Sequence, residues 1–443
     1  MEKLSGLSHL FATIFLHNFA TFMVLSAITD VTMAALCPGQ DECSIAIYLS
    51  GFQQAITGLG SLVVMPLMGN LSDKYGRKAL LTVPMTLTII PLAILACSRT
   101  KSFFYAYYAL KTLTAIFCEG SVHCLALAYV ADNVPEGRRA SAFGILSGIG
   151  SCAFVCGNLS TRFLSTSSTF QVSASMAIAS TVYMTVFLPD SIIDENLSIP
   201  IMSTAKVESI TGSDDGSAKK QQVFKTLPSI EDIIALLKSS LTFTQAAIVS
   251  FFINLAEVGL HASLLYYLKA RFHFNKDQFA DLMVISGIAG TISQMLIMPM
   301  LAPAIGEDKL LSIGLFFASV HMLLYSIAWS FWVPYVAAML SVFFVLSQPC
   351  IRSIVSRQVG SYEQGKAQGV ITGIGSLANV ISPLVFSPLT ALFLSERAPF
   401  SFPGFSIMCI AFASMIAFVQ SLIIRLAPQI SEQRAGNRNC VEP

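Results

Sequence analysis

The stretch "GNLSDKYGRKALL" at residues 69–81 sets Gly69, Asp73, Gly76, Arg77 and Lys78 between two apolar runs, at about 45–70 and 79–98. Gly69 lets a neighbouring helix approach closely, and Gly76 permits a tight turn. Asp73, Arg77 and Lys78 then form a charge cluster at the mouth of whatever the flanking runs build. A solvated turn with outward-reaching cations is the plainer alternative. The choice depends on whether the flanks cross a membrane.

Composition says that they do. Of 443 residues, 54% are hydrophobic and only 12% charged, too little polar surface for a water-soluble globule of that size. Further apolar runs fall at about 8–31, 103–132, 140–162 and 168–189, then 241–268, 280–303, 309–328, 332–356, 366–393 and 404–426. Each exceeds or approaches the roughly 20 residues that cross about 30 Å of hydrocarbon. The chain therefore reads as all-α and polytopic, with twelve spans. Lys3 is the one basic residue before the first run, which is too long for a signal-peptide core and reads as an uncleaved helix.

The spans divide into two sixes. Residues 1–189 form the first bundle, 190–240 a polar linker of disordered composition, 241–427 the second bundle and 428–443 a tail. Within the linker, "DIIALL" (232–237) reads either as an acidic-dileucine sorting signal or as an amphipathic lead into the seventh span. "AFGILSGIGS" (142–151) repeats as "AQGVITGIGS" (367–376), and "MPLMGNL" (65–71) as "MPMLAPA" (298–304). Parallel six-helix repeats of this kind build transporters, with the substrate site between the halves. With the N-terminus in the cytosol, 17 Lys and Arg fall on the cytosolic side and 7 opposite, while Lys111 and Arg352 lie within spans. The positive-inside rule then places both termini and the linker in the cytosol. Which membrane holds the chain, plasma membrane or an internal one, is not legible. Cys37 and Cys43 share a loop on the other side, and there either close a bridge or stand as free thiols.

The 69–81 stretch resembles the signature loop of the major facilitator superfamily, Gly-x-Leu-x-Asp-x-x-Gly-Arg-Lys, at every position. "AYVADNVPEGRRASAFG" (128–144) looks like the matching part of tetracycline-efflux proteins. "AEVG" (256–259) and "GKAQGVITGIGSLANVISP" (365–383) resemble the hippocampus-abundant-transcript branch and plant tetracycline-transporter-like chains. The resemblance implies a gating network of Asp73, Arg77 and Asp132, and a central cavity lined by helices 1, 4, 7 and 10. Three features depart from it. Gly157-Asn158 replaces the Gly-Pro of the antiporter motif, and the basic residue of helix 4 is matched only by Lys111. The loop after span 8, "APAIGEDKLL", lacks the Asp, so the N-terminal gate alone looks intact.

A census of polar residues agrees with such a cavity. The first span carries His17, Asn18 and Asp30, and the fourth Lys111, Glu119 and His123. The seventh carries Asn254, Glu257 and His261, and the tenth Gln348 and Arg352, whereas spans 3, 6 and 12 have no ionisable residue at mid-span. Ionisable groups in a bilayer face a protein interior or an aqueous cavity. On a continuous helix the Glu-x-x-x-His spacing puts Glu119 with His123, and Glu257 with His261, on one face near mid-membrane. A carboxylate that gains and loses a proton there, with an imidazole to relay or tune it, suits a proton-coupled carrier. Satisfied interhelical hydrogen bonds are the structural alternative for these pairs, and snorkelling to the membrane surface is the alternative for Arg352.

The expected function is thus secondary active transport of a small organic solute by alternating access, coupled to protons, by a monomer in a lipid bilayer. A divalent-metal or metal-chelate carrier is a second reading, if spans 1, 4 and 7 bring their carboxylates and imidazoles together. A sensor or trafficking adaptor that kept the fold is a third. Nothing asks for a cofactor or a resident metal. No nucleotide-binding loop or hydrolase motif is present, which disfavours a pump or an enzyme. A net charge of +1 gives no reason to expect a nucleic-acid partner.

Overall fold

Backbone amides in hydrocarbon must be satisfied within their own segment, so long apolar runs become helices. The computed structural model describes residues 2–36, 44–189, 234, 236–238, 240–274, 276–360, 363–395 and 398–439. Cys37, Cys43, nearly all of the linker, the end of the tail and the side chain of Asp30 lie outside that description. Among the described residues twelve helices are long and apolar enough to cross a membrane, and none forms a strand.

The first half holds α1 (Glu2–Leu36), α2 (Ser44–Tyr75), α3 (Arg77–Cys97), α4 (Lys101–Asn133), α5 (Arg139–Thr161) and α6 (Thr166–Phe187). The second holds α7 (Leu241–Phe272), α8 (Gln278–Ile305), α9 (Glu307–Ser326), α10 (Val333–Arg357), α11 (Gln364–Leu394) and α12 (Phe405–Asn439). Helix α1 packs on α5 and α6, and α7 packs on α11 and α12 in the same way. The halves meet where α2 lies along α11 and α5 along α8. Leu236, of the "DIIALL" stretch, is buried in the core of the second half, with Leu237 packed against it. That is the behaviour of an amphipathic lead.

The sequence repeat is a repeat of contacts. Gly144 of α5 lies against Met298 and Gln294 of α8, and its counterpart Gly369 of α11 against Met65 and Pro66 of α2. Gly148 and Gly373 meet α8 and α2 in the same order, at Met295 and at Leu62. Small residues at these positions let helices from opposite halves close on one another. Two residues on, Gly150 faces Asn18 of α1 and Gly375 faces Asn254 of α7.

Two spans are broken. Helix α4 consists of Lys101–Cys118 and Ser121–Asn133, joined through Gly120 at φ 82, a backbone region that a side chain would strain. Helix α10 consists of Val333–Phe344 and Ser347–Arg357. Pro349 causes this second break, because it has no N–H for the carbonyl of Val345 four residues earlier. The second pieces begin at Ser121 and Ser347, at nearly the sequence offset of the repeat.

Candidate gate and membrane-interior polar site

The loop between α2 and α3 turns at Gly76, whose φ of 90 requires a glycine. The turn brings Arg77 back beneath α2, where it is 1% exposed. A buried guanidinium needs acceptors on all sides. Its Nη2 meets Asp73 at 2.5 Å, its Nε donates to Asp132 at 2.8 Å, and its Nη1 donates to the Ser72 hydroxyl at 2.5 Å. Three of the four expected cluster members therefore converge. Lys78 does not: it is partly exposed and forms no ion pair among the described residues. One residue beyond Arg77, it lies about 100° further round the helix.

Asp73 also reaches across the molecule. Its Oδ1 accepts from the amide of Gly365 and its Oδ2 from that of Lys366, each at 2.9 Å. These are first-turn amides of α11, whose own N-cap residue, Glu363, makes no side-chain cap. A carboxylate from one half thus caps a helix of the other, where the helix dipole also favours negative charge. Gly69 makes room for it, since a Cβ there would fall on the carbonyl oxygen of Gly365.

The second half carries an ion pair at the corresponding place. Gly306 has φ 89 and ψ 150, against 90 and 148 at Gly76. Where Arg77 follows Gly76, Glu307 follows Gly306. Where Asp132 ends α4, Arg357 ends α10. Arg357 Nη2 and Glu307 Oε1 pair at 2.8 Å, with Glu307 almost fully buried. The pair is kept with its signs exchanged, so a search for the same residue types misses it. The missing Asp has no substitute, because that part of the loop is "APAIG". Instead Arg139, at the start of α5, donates to the carbonyl and hydroxyl oxygens of Ser356 on α10, both at 3.1 Å. Gln364 of α11 binds the same Ser356 through its amide. These bridges lie at the end of the bundle that carries the chain termini.

Deeper in the membrane, Glu119 and His123 do not share a regular helix face, because the break at Gly120 falls between them. Both are nevertheless exposed, and His123 lies within electrostatic reach of Arg352 of the opposite half. Glu257 and His261 do lie on one continuous helix, turned away from the Gly259 and Ser263 face that packs on α11. Among the described residues, none of these four side chains, nor Gln348, has a hydrogen-bond or ion-pair partner. Two other histidines are satisfied: His9 by the Tyr183 hydroxyl at 2.8 Å, and His321 by the Ala337 carbonyl at 2.6 Å. His17 is buried rather than open, within electrostatic reach of Lys111. Asn18 faces Gly150, and Asn254 donates to the Ser250 carbonyl at 2.7 Å. Arg352 is bound to Gln368 and Thr372 of α11, so it is not snorkelling. No group of three or more His, Cys, Asp and Glu among the described residues could hold a metal ion, so the residues behind the metal reading do not come together.

One link between the halves was not expected from the sequence. The carbonyl freed by Pro349, that of Val345, accepts from Gln294 Nε2 at 3.3 Å, and Gln294 Oε1 accepts from Ser151 of α5 at 3.0 Å. Gln294 sits in a π-turn of α8, Ser293–Ile297, whose wider coil turns it toward α10. Gln294 and Pro349 were the available signals.

The family model of the major facilitator superfamily matches residues 10–383. The chain belongs to the major facilitator superfamily. Its members are generally membrane transporters, and this one is an integral, multi-pass membrane protein. Among curated relatives, hippocampus abundant transcript 1 protein of Mus musculus is 25% identical over 393 residues, covering 88% of this chain and 74% of the relative. Tetracycline resistance protein, class E, of Escherichia coli is 24% identical over 339 residues, covering 76% and 77%. The solved structure of the human organic anion transporter MFSD10 superposes with a TM-score of 0.73 at 17% identity, over 95% of this chain and 99% of that one. The E. coli fucose:proton symporter FucP follows at 0.69 and 13%, over 96% and 99%. At such identities the two structures speak for the major facilitator fold.

Proposed function

We propose that this superfamily member is a secondary active transporter that moves a small organic solute by alternating access and couples the movement to protons. The observation that carries the reading is a set of polar side chains on α4, α7 and α10 that have no hydrogen-bond or ion-pair partner among the described residues: Glu119, His123, Glu257, His261 and Gln348. Polar groups in a membrane are costly unless something binds them. His9 and His321, by contrast, are each bound to a protein group. Together with Arg352, Asn18, Asn254 and the buried His17 they form the solute and proton pathway.

Asp73, Arg77 and Asp132 hold the termini end shut while α11 is capped. Releasing that cap exchanges one protein–protein arrangement for another, so the two states stay close in energy. In this reading the termini end faces the cytosol, which the excess of Lys and Arg on that side supports. The test is reconstitution of the purified chain in proteoliposomes and a solute screen with and without an imposed pH gradient. Solutes that accumulate only with the gradient are expected. A solute that moves at the same rate and to the same level at every gradient would remove the proton from the mechanism.

A further inference from the structure

Arg352 differs from the gate arginines in its partners. Arg77 and Arg357 each meet a carboxylate within 2.8 Å. The Nη1 of Arg352 is given only neutral acceptors: the Gln368 carbonyl at 3.2 Å, the Gln368 Oε1 at 3.4 Å and the Thr372 hydroxyl at 3.0 Å. Among the described residues no carboxylate pairs with it. Gln368 closes the clamp by donating from Nε2 to the Arg352 carbonyl at 3.1 Å. One edge of the guanidinium is therefore fixed to α11, and Nε and Nη2 have no protein acceptor among the described residues.

Its surroundings come from both halves. His123 of α4 is exposed and within electrostatic reach, and the nearby Cys124 is a thiol, uncharged in its ordinary form. Gly120, at the break of α4, abuts the same Thr372 that holds Arg352: a Cβ there would lie 3.3 Å from Thr372 Cγ2. A half-buried cation within a membrane span is costly to leave without a countercharge. A guanidinium held by one edge offers the other as a fork, the geometry that binds a carboxylate through two parallel N–H bonds.

Resting on the transport reading above, we propose that Arg352 anchors an anionic group of the solute, a carboxylate or sulfonate, between α10 and the His123 face of α4. The solute is an organic anion, or a zwitterion held by its anionic end. Bound there it touches both halves, so its arrival and departure bear on the same interface that must open and close.

The test uses the purified full-length chain and four probes that differ in charge on one scaffold: 3-phenylpropanoate, L-phenylalanine, 3-phenylpropanamide and 2-phenylethylamine. A second set, p-aminohippurate and its amide, changes the scaffold. Binding is read by calorimetry, and exchange by counterflow in proteoliposomes. The anionic or zwitterionic members should bind at least tenfold more tightly than the amides. Arg352→Gln should erase that preference, and Arg352→Lys should keep part of it at an unchanged unliganded melting temperature. A gain by L-phenylalanine but not by 3-phenylpropanoate identifies a zwitterion, and the reverse a simple anion. Amide or amine binding equal to that of the acids overturns the proposal, as does an acid preference that survives Arg352→Gln, or no binding by any probe. The transport reading fails separately, if acids bind through Arg352 but no counterflow follows.

Discussion

Asp73, at the end of α2, caps the first turn of α11 through the amides of Gly365 and Lys366, at 2.9 Å each. The same carboxylate is held by the buried Arg77 at 2.5 Å, which Asp132 holds in turn. One end of the interface between the halves is therefore closed by a helix cap whose acceptor is positioned by a salt-bridged arginine. A hydrogen bond to a charged acceptor contributes about 1.5–3 kcal/mol, enough to bias two states without locking either.

Asp73→Asn keeps an acceptor but loses the charge and one of the two caps. The protein should reach the membrane at normal abundance while turnover falls roughly tenfold, the rate equivalent of about 1.4 kcal/mol. Flux normalised to surface protein checks this, and wild-type flux would remove the cap from the cycle.

Close approach at the same place can be tested by sterics alone. A Cβ on Gly365 would collide with Arg77, the Ser72 hydroxyl and the carbonyl of Gly69. Gly365→Ala should hold the termini end open. Spin labels at the ends of α2 and α11 should report a longer distance than in wild type, with melting temperature little changed. An unchanged distance would mean that the contact is loose.

The charge-exchanged pair predicts its own rescue. Glu307→Gln and Arg357→Gln should each lower the melting temperature, because each leaves a charge short of its partner; the buried Glu307 makes this worth about 1–3 kcal/mol. The double change Glu307→Arg with Arg357→Glu should recover much of the loss, since Gly306 already supplies the turn that Gly76 gives to Arg77. Double-variant stability equal to the sum of the single losses would show that the two residues are independent.

The sequence made the twelve helices, the repeat and the first gate legible, because each rests on local signals: run length, an offset match and an unbroken motif. What it hid depends on backbone detail or on exchange between halves. Glu119 and His123 looked like neighbours on one helix until Gly120 took a left-handed φ and broke it. Pro349 marked the break in α10, but run length alone, by which that span was read, does not register the carbonyl that a proline leaves free four residues earlier. Glu307 and Arg357 went unread because the motif was sought by residue type, and a pair survives reversal of sign when both members change. Arg352 was read as able to snorkel, since no sequence signal says that Gln368 and Thr372 would clamp it.

The placement of the ends has a direct check. An epitope inserted near Ser213 should be reachable only from the cytosol, and one near Gly39 only from the other side. Both on one side would overturn the twelve-span topology in cells.

Proton coupling through the membrane-interior carboxylates is the central claim, and Glu→Gln changes test it most directly because they keep shape but remove titration. Glu257→Gln and Glu119→Gln should each abolish accumulation driven by a pH gradient while solute exchange at equal pH persists, since exchange needs binding and rocking but no net proton movement. His123→Gln and His261→Gln should shift the pH optimum and leave accumulation largely in place. The decisive measurement is the ratio of gradient-driven accumulation to equilibrium exchange for Glu257→Gln in proteoliposomes. The account predicts a ratio near zero with exchange intact. A wild-type ratio in both Gln variants, still dependent on pH, would contradict it.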